Sequence, residues 1–264
     1  MELFASFGRV DGLAHTALFY GVIGLFAGSF LNVCILRIPR GGSIVFPPSH
    51  CPVCKTRLRT ADLIPVLSYF LLKGRCRECG SPISVQYPIV EFLTGVCFFL
   101  AARWSVDYLH LYKFLFFVSC LIVIFFIDLR HYIIPDVIVL PGIEAGLLFA
   151  VFEGRFWDAV FGSVAGGVIY LVIAYMAVGL FRREGMGGGD VKFAAMIGAF
   201  LGLKFMLLAT FLSFLTGGLV VIPMLFLGIR KMGEPVPFGP MMAVGAFGAM
   251  FFGEWMLEVY FRLL

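Results

Sequence analysis

The chain alternates between long apolar stretches and short polar connections, the pattern of a polypeptide that crosses a bilayer several times. A membrane-spanning helix needs about 20 apolar residues, and eight stretches approach or exceed that length. The predicted spans are 13–38, 87–102, 111–127, 137–152, 157–181, 191–203, 205–229 and 238–257. The spans at 137–152 and 191–203 are short, so they need polar or glycine-rich flanks or enter the membrane only part way.

Composition supports the same class. Hydrophobic residues make up 61% of the 264 residues, charged residues only 14%, and the mean hydropathy is +1.01. Such values are typical of a polytopic membrane protein. Small residues at 162–167 would let two helices pack closely in lipid. No basic stripe is interleaved with aromatic residues, so we expect no nucleic-acid partner.

The distribution of Lys and Arg predicts the orientation in the membrane. With the N-terminus outside, fourteen of the twenty cations face the cytoplasm, as the positive-inside rule requires. The six left outside are Arg9, Arg103, Lys113, Arg155, Lys204 and Arg262. We expect a multi-pass membrane protein. Its first span is long and lacks a clear small-residue cleavage site, so we expect it to stay in the mature chain.

The one long hydrophilic region, 37–86, carries two Cys-x-x-Cys pairs. Cys51 and Cys54 are separated from Cys76 and Cys79 by twenty-one residues, a spacing that favours a tetrahedral zinc site. Four protein ligands would leave the metal no open position for catalysis, so the zinc would be structural. A disulfide framework is disfavoured in the cytoplasm, and redox chemistry or metal-free thiols are the remaining alternatives.

Two acids lie where apolar segments meet polar ones. Asp128 ends the run 114–127, and Asp190 follows the glycine-rich run 185–189. Because an ionised group near hydrocarbon is costly, each is a functional-site hypothesis. The predicted topology puts both at the cytoplasmic face, where a pair could hydrolyse an amide, with one carboxylate activating water while the other, protonated, polarises the carbonyl. Gly187 and Gly189 would let a substrate backbone approach closely.

Structural roles are the alternatives for these acids. Asp128 could pair with Arg130, and Asp190 could be the N-cap of the next span. Asp136, after a proline at the start of another span, is a rival acid that ranks below them. Lys192 is more typical of an interfacial charge or a supporting residue than of a catalyst.

Taken together, several motifs identify a family resemblance that covers nearly the whole chain. They are Gly-Ser-Phe-Leu-Asn-Val at 28–33, Arg-Ile-Pro at 37–39, the two cysteine pairs, the segments at 62–69 and 87–91, Ile-Asp at 127–128, Ile-Pro-Asp at 134–136 and Gly-Gly-Gly-Asp-Val-Lys at 187–192. The chain resembles the type IV prepilin peptidases, which are Gly-x-Gly-Asp aspartic proteases. Gly188 fills the variable position of that motif.

The resemblance implies a bifunctional enzyme. It would cleave the basic leader from type IV prepilins or from pseudopilins of type II secretion, and would methylate the new N-terminus with S-adenosylmethionine. The catalytic acids of the family map onto Asp128 and Asp190. The implied organisation is an N-terminal transmembrane segment at 1–38, a zinc loop domain associated with methyl transfer at 39–86, and a peptidase domain at 87–264.

The prediction of a methylation activity depends mainly on the family resemblance. No Gly-x-Gly-x-x-Gly loop follows a predicted strand, so a Rossmann-type methyltransferase domain is not expected. Glu91, the acid on the buried side nearest the zinc loop, could hold the cofactor or the substrate amine. A snorkelling or helix-paired glutamate is the structural alternative. Overall we expect an all-α polytopic membrane protein with about eight transmembrane helices and a small cytoplasmic zinc-bound loop domain.

Other functions stay open at this point. The enzyme could be a peptidase only, with a purely structural zinc loop. Intramembrane acids also serve cation-coupled transporters, and Glu144 in the fourth span would suit one, but the span lengths show no clear inverted repeat. A third alternative is an assembly scaffold that docks through its zinc loop. The residues do not indicate an oligomeric state.

Overall fold

The structure, a computed structural model, describes residues 11–181, 187–229 and 234–263. These residues form α-helices and contain no β-strand, which confirms the all-α prediction. The helices are α1 Asp11–Arg37, α2 Leu67–Leu71, α3 Gln86–Trp104, α4 Tyr108–His131, α5 Asp136–Phe152, α6 Phe156–Phe181, α7 Gly188–Phe226 and α8 Gly239–Leu263. Short 3₁₀ segments lie at Ile38–Arg40 and Thr60–Leu63.

Within the described ranges, six helices are long and apolar enough to cross a membrane: α1, α3, α4, α6, α7 and α8. The multi-pass prediction is confirmed. Three of the eight predicted spans differ from the prediction. Helix α5 has only 17 residues and falls below this requirement, and the runs 191–203 and 205–229 join into the single 39-residue helix α7.

Helix α7 joins two predicted spans through a kink. Gly202 has φ 77° and ψ 176°, which lies outside the helical region and suits glycine. Its neighbours on both sides find partners near the start of α6: the Leu203 N–H donates to Asp158 Oδ1 across 3.0 Å, and Arg155 donates to the Leu201 carbonyl across 3.3 Å. These side chains satisfy backbone groups that a broken helix leaves unpaired.

The chain divides into two compact units, Met1–Val123 and Ile124–Leu264. In the first unit, α1 packs along α3. In the second, α7 packs against α5, α6 and α8. A Cβ atom on Gly198 of α7 would overlap the backbone of Gly162 in α6, so the backbones touch where the small-residue run 162–167 lies. The expected close packing is therefore confirmed.

The loop between α1 and α3 has little regular structure. Apart from α2 and the two 3₁₀ segments, its described residues contain only two isolated β-bridges, between His50 and Arg57 and between Arg75 and Pro82. Each bridge flanks one Cys-x-x-Cys pair. A loop of this length has too little apolar core to be stable alone, so its shape depends on other cross-links.

Candidate active site and metal centre

Asp128 lies in the last turn of α4 and is buried, with 5% of its surface exposed. Its Oδ2 accepts the backbone N–H of Gly239 across 2.8 Å. Gly239 is the first residue of α8, so its N–H has no partner within the helix and is free to bind a carboxylate. The positive end of the α8 dipole also favours a negative charge at this point.

Asp190 lies in the first turn of α7 and is 9% exposed. The helix begins after Gly187, which occupies the N-cap, so the N-cap alternative for Asp190 is wrong. Instead, Asp190 is the third helical residue, and its Oδ2 accepts the Gly187 N–H across 2.9 Å. This is the returning half of a capping box, and it fixes the carboxyl group against the turn that precedes the helix.

The two carboxyl groups belong to the same unit and lie within electrostatic range of each other. Neither forms an ion pair with any described residue, and Arg130 does not pair with Asp128 there. Each is held by one backbone N–H from a helix start. Two buried acids within electrostatic range of each other, and without a described cation, are a costly arrangement that a purely structural role does not require.

The glycines around Asp190 allow a close approach. A Cβ atom on Gly189 would lie 2.9 Å from Ile134 Cβ, so the start of α7 packs tightly on the segment before α5. Gly187 has an extended backbone, with φ −76° and ψ 151°, and is exposed. Gly185 and Met186, which begin the predicted glycine-rich run, lie outside the described residues.

Asp136 and Lys192 bind each other rather than the two buried acids. The Lys192 ammonium group contacts both oxygens of Asp136, at 2.8 Å and 2.7 Å. Both side chains are about half exposed, so the pair contributes at most about 1 kcal/mol. It joins the first residue of α5 to the first turn of α7, and its role as support for the site stays a prediction.

Two further residues at this site were missed by the sequence analysis. Gly239 has no side chain and lies 111 positions from Asp128, so no local signal indicates it. Tyr170 of α6 is 1% exposed, hydrogen-bonds to Ser213 and Thr210, and lies within electrostatic range of Asp190. An aromatic residue within an apolar helix gives no sign of such a position.

The four cysteines of the loop come together. All four Sγ atoms lie within 4.8 Å of one another, so they could hold a metal ion. A zinc ion with Zn–S bonds of about 2.3 Å holds its sulfurs about 3.8 Å apart, and the Cys51 and Cys79 sulfurs are 3.8 Å apart. The donor set therefore fits zinc.

The two cysteine pairs adopt the same turn. The residue after each second cysteine donates its N–H to the carbonyl of the first: Lys55 to Cys51 and Gly80 to Cys76, both across 2.9 Å. Both donors have positive φ, 60° for Lys55 and 70° for Gly80. The backbone N–H of Cys54, and then the Ser81 hydroxyl, lower the pKa of the Cys51 thiol to about 6, which favours the thiolate that a metal needs.

Ion pairs brace the second cysteine pair against the preceding 3₁₀ turn. Arg77 donates to Asp62 Oδ1 from two nitrogens, at 3.0 Å and 2.7 Å, and Arg59 pairs with Glu78 across 2.7 Å. The hydrogen bond from Arg77 holds the pKa of Asp62 below its usual value. These contacts connect the turn to the metal-binding pair.

Glu91 lies near the start of α3 and is buried, with 7% exposed. Its Oε2 accepts the Val66 N–H across 2.7 Å, and it hydrogen-bonds to Ser29 of α1. Both partners are neutral. The bond to Ser29 pairs Glu91 with helix α1, which agrees with the structural alternative of a helix-paired glutamate. A role of Glu91 in methyl transfer stays a prediction.

Comparisons with known protein families match two successive parts of the chain. Residues 22–105 match the bacterial peptidase A24 N-terminal domain, and residues 115–222 match the type IV leader peptidase family. No solved structure matches the chain.

Curated relatives carry the name prepilin leader peptidase/N-methyltransferase. One from Myxococcus xanthus is 42% identical over 79% of this chain and 63% of its own length. One from Bacillus subtilis is 35% identical over 92% of this chain and 96% of its own length. One from Aeromonas hydrophila is 33% identical over 92% of this chain and 94% of its own length.

Proposed function

The chain belongs to the type IV leader peptidase family and is an enzyme that processes prepilins, and from that premise we propose that Asp128 and Asp190 form its catalytic dyad. One observation supports this most directly: two buried carboxyl groups lie within electrostatic range, each held by a helix-start N–H and neither neutralised by a described cation. An aspartic protease needs such a pair, because its two acids share one proton.

The chemistry follows from the roles that a shared proton allows. The ionised carboxylate takes a proton from water, and the resulting hydroxide attacks the scissile carbonyl carbon. The protonated carboxyl donates its proton to the carbonyl oxygen. The amide nitrogen then takes a proton as the C–N bond breaks, which releases the leader and a new N-terminus. Asp128 Oδ2 accepts the Gly239 N–H, so in this proposal the other oxygen of that carboxyl group takes part in the reaction.

The substrate would be a membrane-inserted prepilin or pseudopilin with a basic leader in the cytoplasm. A dyad at the ends of α4 and α7 reaches such a cleavage site without withdrawing the substrate helix from lipid. The exposed Gly187 and its extended backbone suit an edge along which an extended leader could lie. We place the protein in the inner membrane with this face towards the cytoplasm, as the distribution of Lys and Arg predicts.

The second proposed activity is N-methylation of the new N-terminus with S-adenosylmethionine as the methyl donor. The names of the relatives include this activity. In our proposal Cys51, Cys54, Cys76 and Cys79 hold a structural zinc ion that folds the loop supporting methyl transfer. With all four positions filled by thiolates, this metal would take no part in bond breaking.

Substitution by the isosteric amide tests the dyad. Asp128→Asn and Asp190→Asn should each abolish leader cleavage while leaving membrane insertion normal, because an amide can neither activate water nor share the proton. The matched control is Asp136→Asn, which removes a carboxylate of the same unit whose one described ion-pair partner is Lys192. Cleavage of a purified prepilin, followed by mass spectrometry, gives the result, and retained cleavage in both dyad variants would remove these acids from the mechanism.

A further inference from the structure

Glu91 is a buried acid that peptide cleavage does not use. It is 7% exposed, and its described partners are the Val66 N–H and the Ser29 hydroxyl. No ion pair to Glu91 exists among the described residues of its unit. Burying a carboxylate away from any cation costs several kcal/mol, so an acid kept in this state suggests a cationic ligand.

One residue of the loop, Val66, donates its N–H to Glu91 from an unusual backbone conformation. Val66 has φ 62° and ψ −53°, a region that a β-branched residue rarely adopts and that costs about 1–3 kcal/mol. That conformation directs its N–H at Glu91 Oε2. The polar region around Glu91 is therefore built by the loop as well as by α1 and α3.

A second buried acceptor lies on the same pair of helices. Asn32, one turn after Ser29 on the same face of α1, donates to the Tyr87 carbonyl across 3.1 Å. Gln86 donates to Asn32 Oδ1 across 3.4 Å. The other end of Gln86, Oε1, is buried and has no hydrogen-bond partner in the part of the chain that the structure describes. An unsatisfied acceptor in a residue only 7% exposed is a further indication that a donor belongs here.

A cavity of about 320 Å³ adjoins this polar cluster. Ser29 lines the cavity and also hydrogen-bonds to Glu91, so it connects the two. The other walls are mainly apolar and include Phe26, Phe30, Val33, Ile44 and Leu63. Arg37 holds the loop side of the cavity by donating to the carbonyls of Ser43 and Pro47, across 2.9 Å and 2.7 Å.

The chemistry of the cluster selects one kind of ligand. Glu91 and Gln86 Oε1 are acceptors, and an ammonium group carries three N–H donors. A free amino acid, or the amino-acid end of S-adenosylmethionine, also carries a carboxylate, which Glu91 would repel. The N-terminus of a polypeptide has the ammonium group without a neighbouring carboxylate.

From this arrangement we propose that Glu91 binds the α-ammonium group of the cleaved prepilin and positions it as the methyl acceptor. This inference depends on the methyl-transfer activity in the proposed function. The Glu91 carboxylate takes one proton from the ammonium, and the freed nitrogen lone pair forms the new N–CH₃ bond. The S–CH₃ bond of the sulfonium donor breaks with both electrons left on sulfur, so the positive charge passes to the methylated nitrogen and the proton leaves Glu91 for water.

The test uses full-length enzyme in detergent and a synthetic peptide that matches the N-terminus of the mature pilin. Glu91→Gln keeps the size of the side chain and removes its charge, so we expect cleavage within about twofold of wild type and kcat/KM for methylation of the peptide lower by about tenfold or more. Asp107→Asn is the control, because it removes an acidic charge from an exposed residue of the same unit and keeps a side-chain oxygen for the His110 N–H. It should leave both activities unchanged.

A binding measurement separates the acceptor from the donor. Equilibrium dialysis with radiolabelled S-adenosylmethionine should give the same Kd for wild type and Glu91→Gln, whereas the KM for the peptide should rise. A change confined to the Kd would overturn the assignment to the acceptor. Unchanged KM, kcat and Kd would overturn the site altogether, and so would an equal loss of cleavage and methylation in folded protein.

Wild-type enzyme distinguishes failure of the Glu91 inference from failure of the proposed function, and a second variant replaces Glu91→Gln if that protein does not fold. If wild-type enzyme cleaves prepilin but does not methylate the peptide, the inference about Glu91 fails and the peptidase proposal stands. If it does not cleave prepilin at all, the proposed function itself fails. If Glu91→Gln does not yield folded protein, Ser29→Ala replaces it: this variant removes one hydrogen bond to Glu91 and should raise the same KM, and an unchanged KM would overturn the inference.

Discussion

The backbone N–H of Gly239 contacts Asp128 Oδ2 across 2.8 Å, and the fit leaves no room for a side chain at position 239. A Cβ atom there would lie 2.7 Å from that same oxygen and 3.0 Å from the Asp128 Cγ. The start of α8 thus determines where the carboxyl group of α4 can lie. In the proposed mechanism, Gly239 is a positioning residue for Asp128.

Gly239→Ala should therefore lower kcat for leader cleavage by about 10-fold to 1,000-fold with little change in KM, because misplacing a catalytic group by about 1 Å is costly while substrate binding surfaces remain. The matched control is Gly248→Ala on the same helix. A Cβ atom there meets only the flexible end of Leu212, at 3.2 Å. Steady-state cleavage kinetics of the two variants test this prediction. Equal kcat values for Gly239→Ala and Gly248→Ala would show that Gly239 does not position Asp128.

The ion pair between Asp136 and Lys192 should have a much smaller effect. Both side chains are about half exposed, so a double-mutant cycle with Asp136→Asn and Lys192→Met should give a coupling energy below about 1 kcal/mol in thermal unfolding in detergent. Cleavage by the single variants should stay within about fivefold of wild type. A loss as large as that of Asp190→Asn would instead place one of them in the reaction.

The sequence predicted the helices and both buried acids because these have local signals. A backbone in lipid must satisfy its own hydrogen bonds, so a long apolar run implies a helix, and an acid at the end of such a run is conspicuous. Contacts between distant residues have no such signal. Gly239 carries no side chain, and the joining of 191–203 and 205–229 into α7 depends on Arg155 and Asp158, which support the kink from another helix.

The four cysteines were predicted from their spacing alone, because the chemistry of a metal site determines that spacing. The bracing ion pairs around them were not predicted. Asp62 and Arg77 are 15 positions apart and lie in a loop with almost no periodic structure. Only the fold of the loop brings them together.

The Asp62–Arg77 pair predicts a pH dependence for the loop. The Arg77 hydrogen bond lowers the pKa of Asp62 in the folded loop, so its contribution to stability is present above the unfolded pKa of about 4 and is lost as pH falls through the lower folded value. The loop of the wild-type protein should therefore resist limited proteolysis better than the loop of the Asp62→Asn variant at pH 7. The difference should shrink as the pH drops below about 4, and a difference that persists at the lowest pH would contradict this origin. A protease active in acid, such as pepsin, extends the comparison to that range.

Metal removal should separate the two proposed activities. Cys51→Ser or Cys76→Ser removes one of four thiolates, which weakens a zinc site that otherwise supplies much of the folding free energy of the loop. We expect the metal content to fall from one zinc ion per chain towards zero, and the loop to become sensitive to protease. Methylation should then fall by at least about tenfold, because Val66, which binds Glu91, belongs to this loop. Cleavage should fall much less, because the described partners of Asp128 and Asp190 all lie in the second unit.

Cys97→Ala, which removes a buried thiol of α3 outside the cluster, is the control for metal removal and should keep its zinc. Elemental analysis beside the two activity assays gives the answer, and equal losses of cleavage and methylation would mean that the loop serves both reactions.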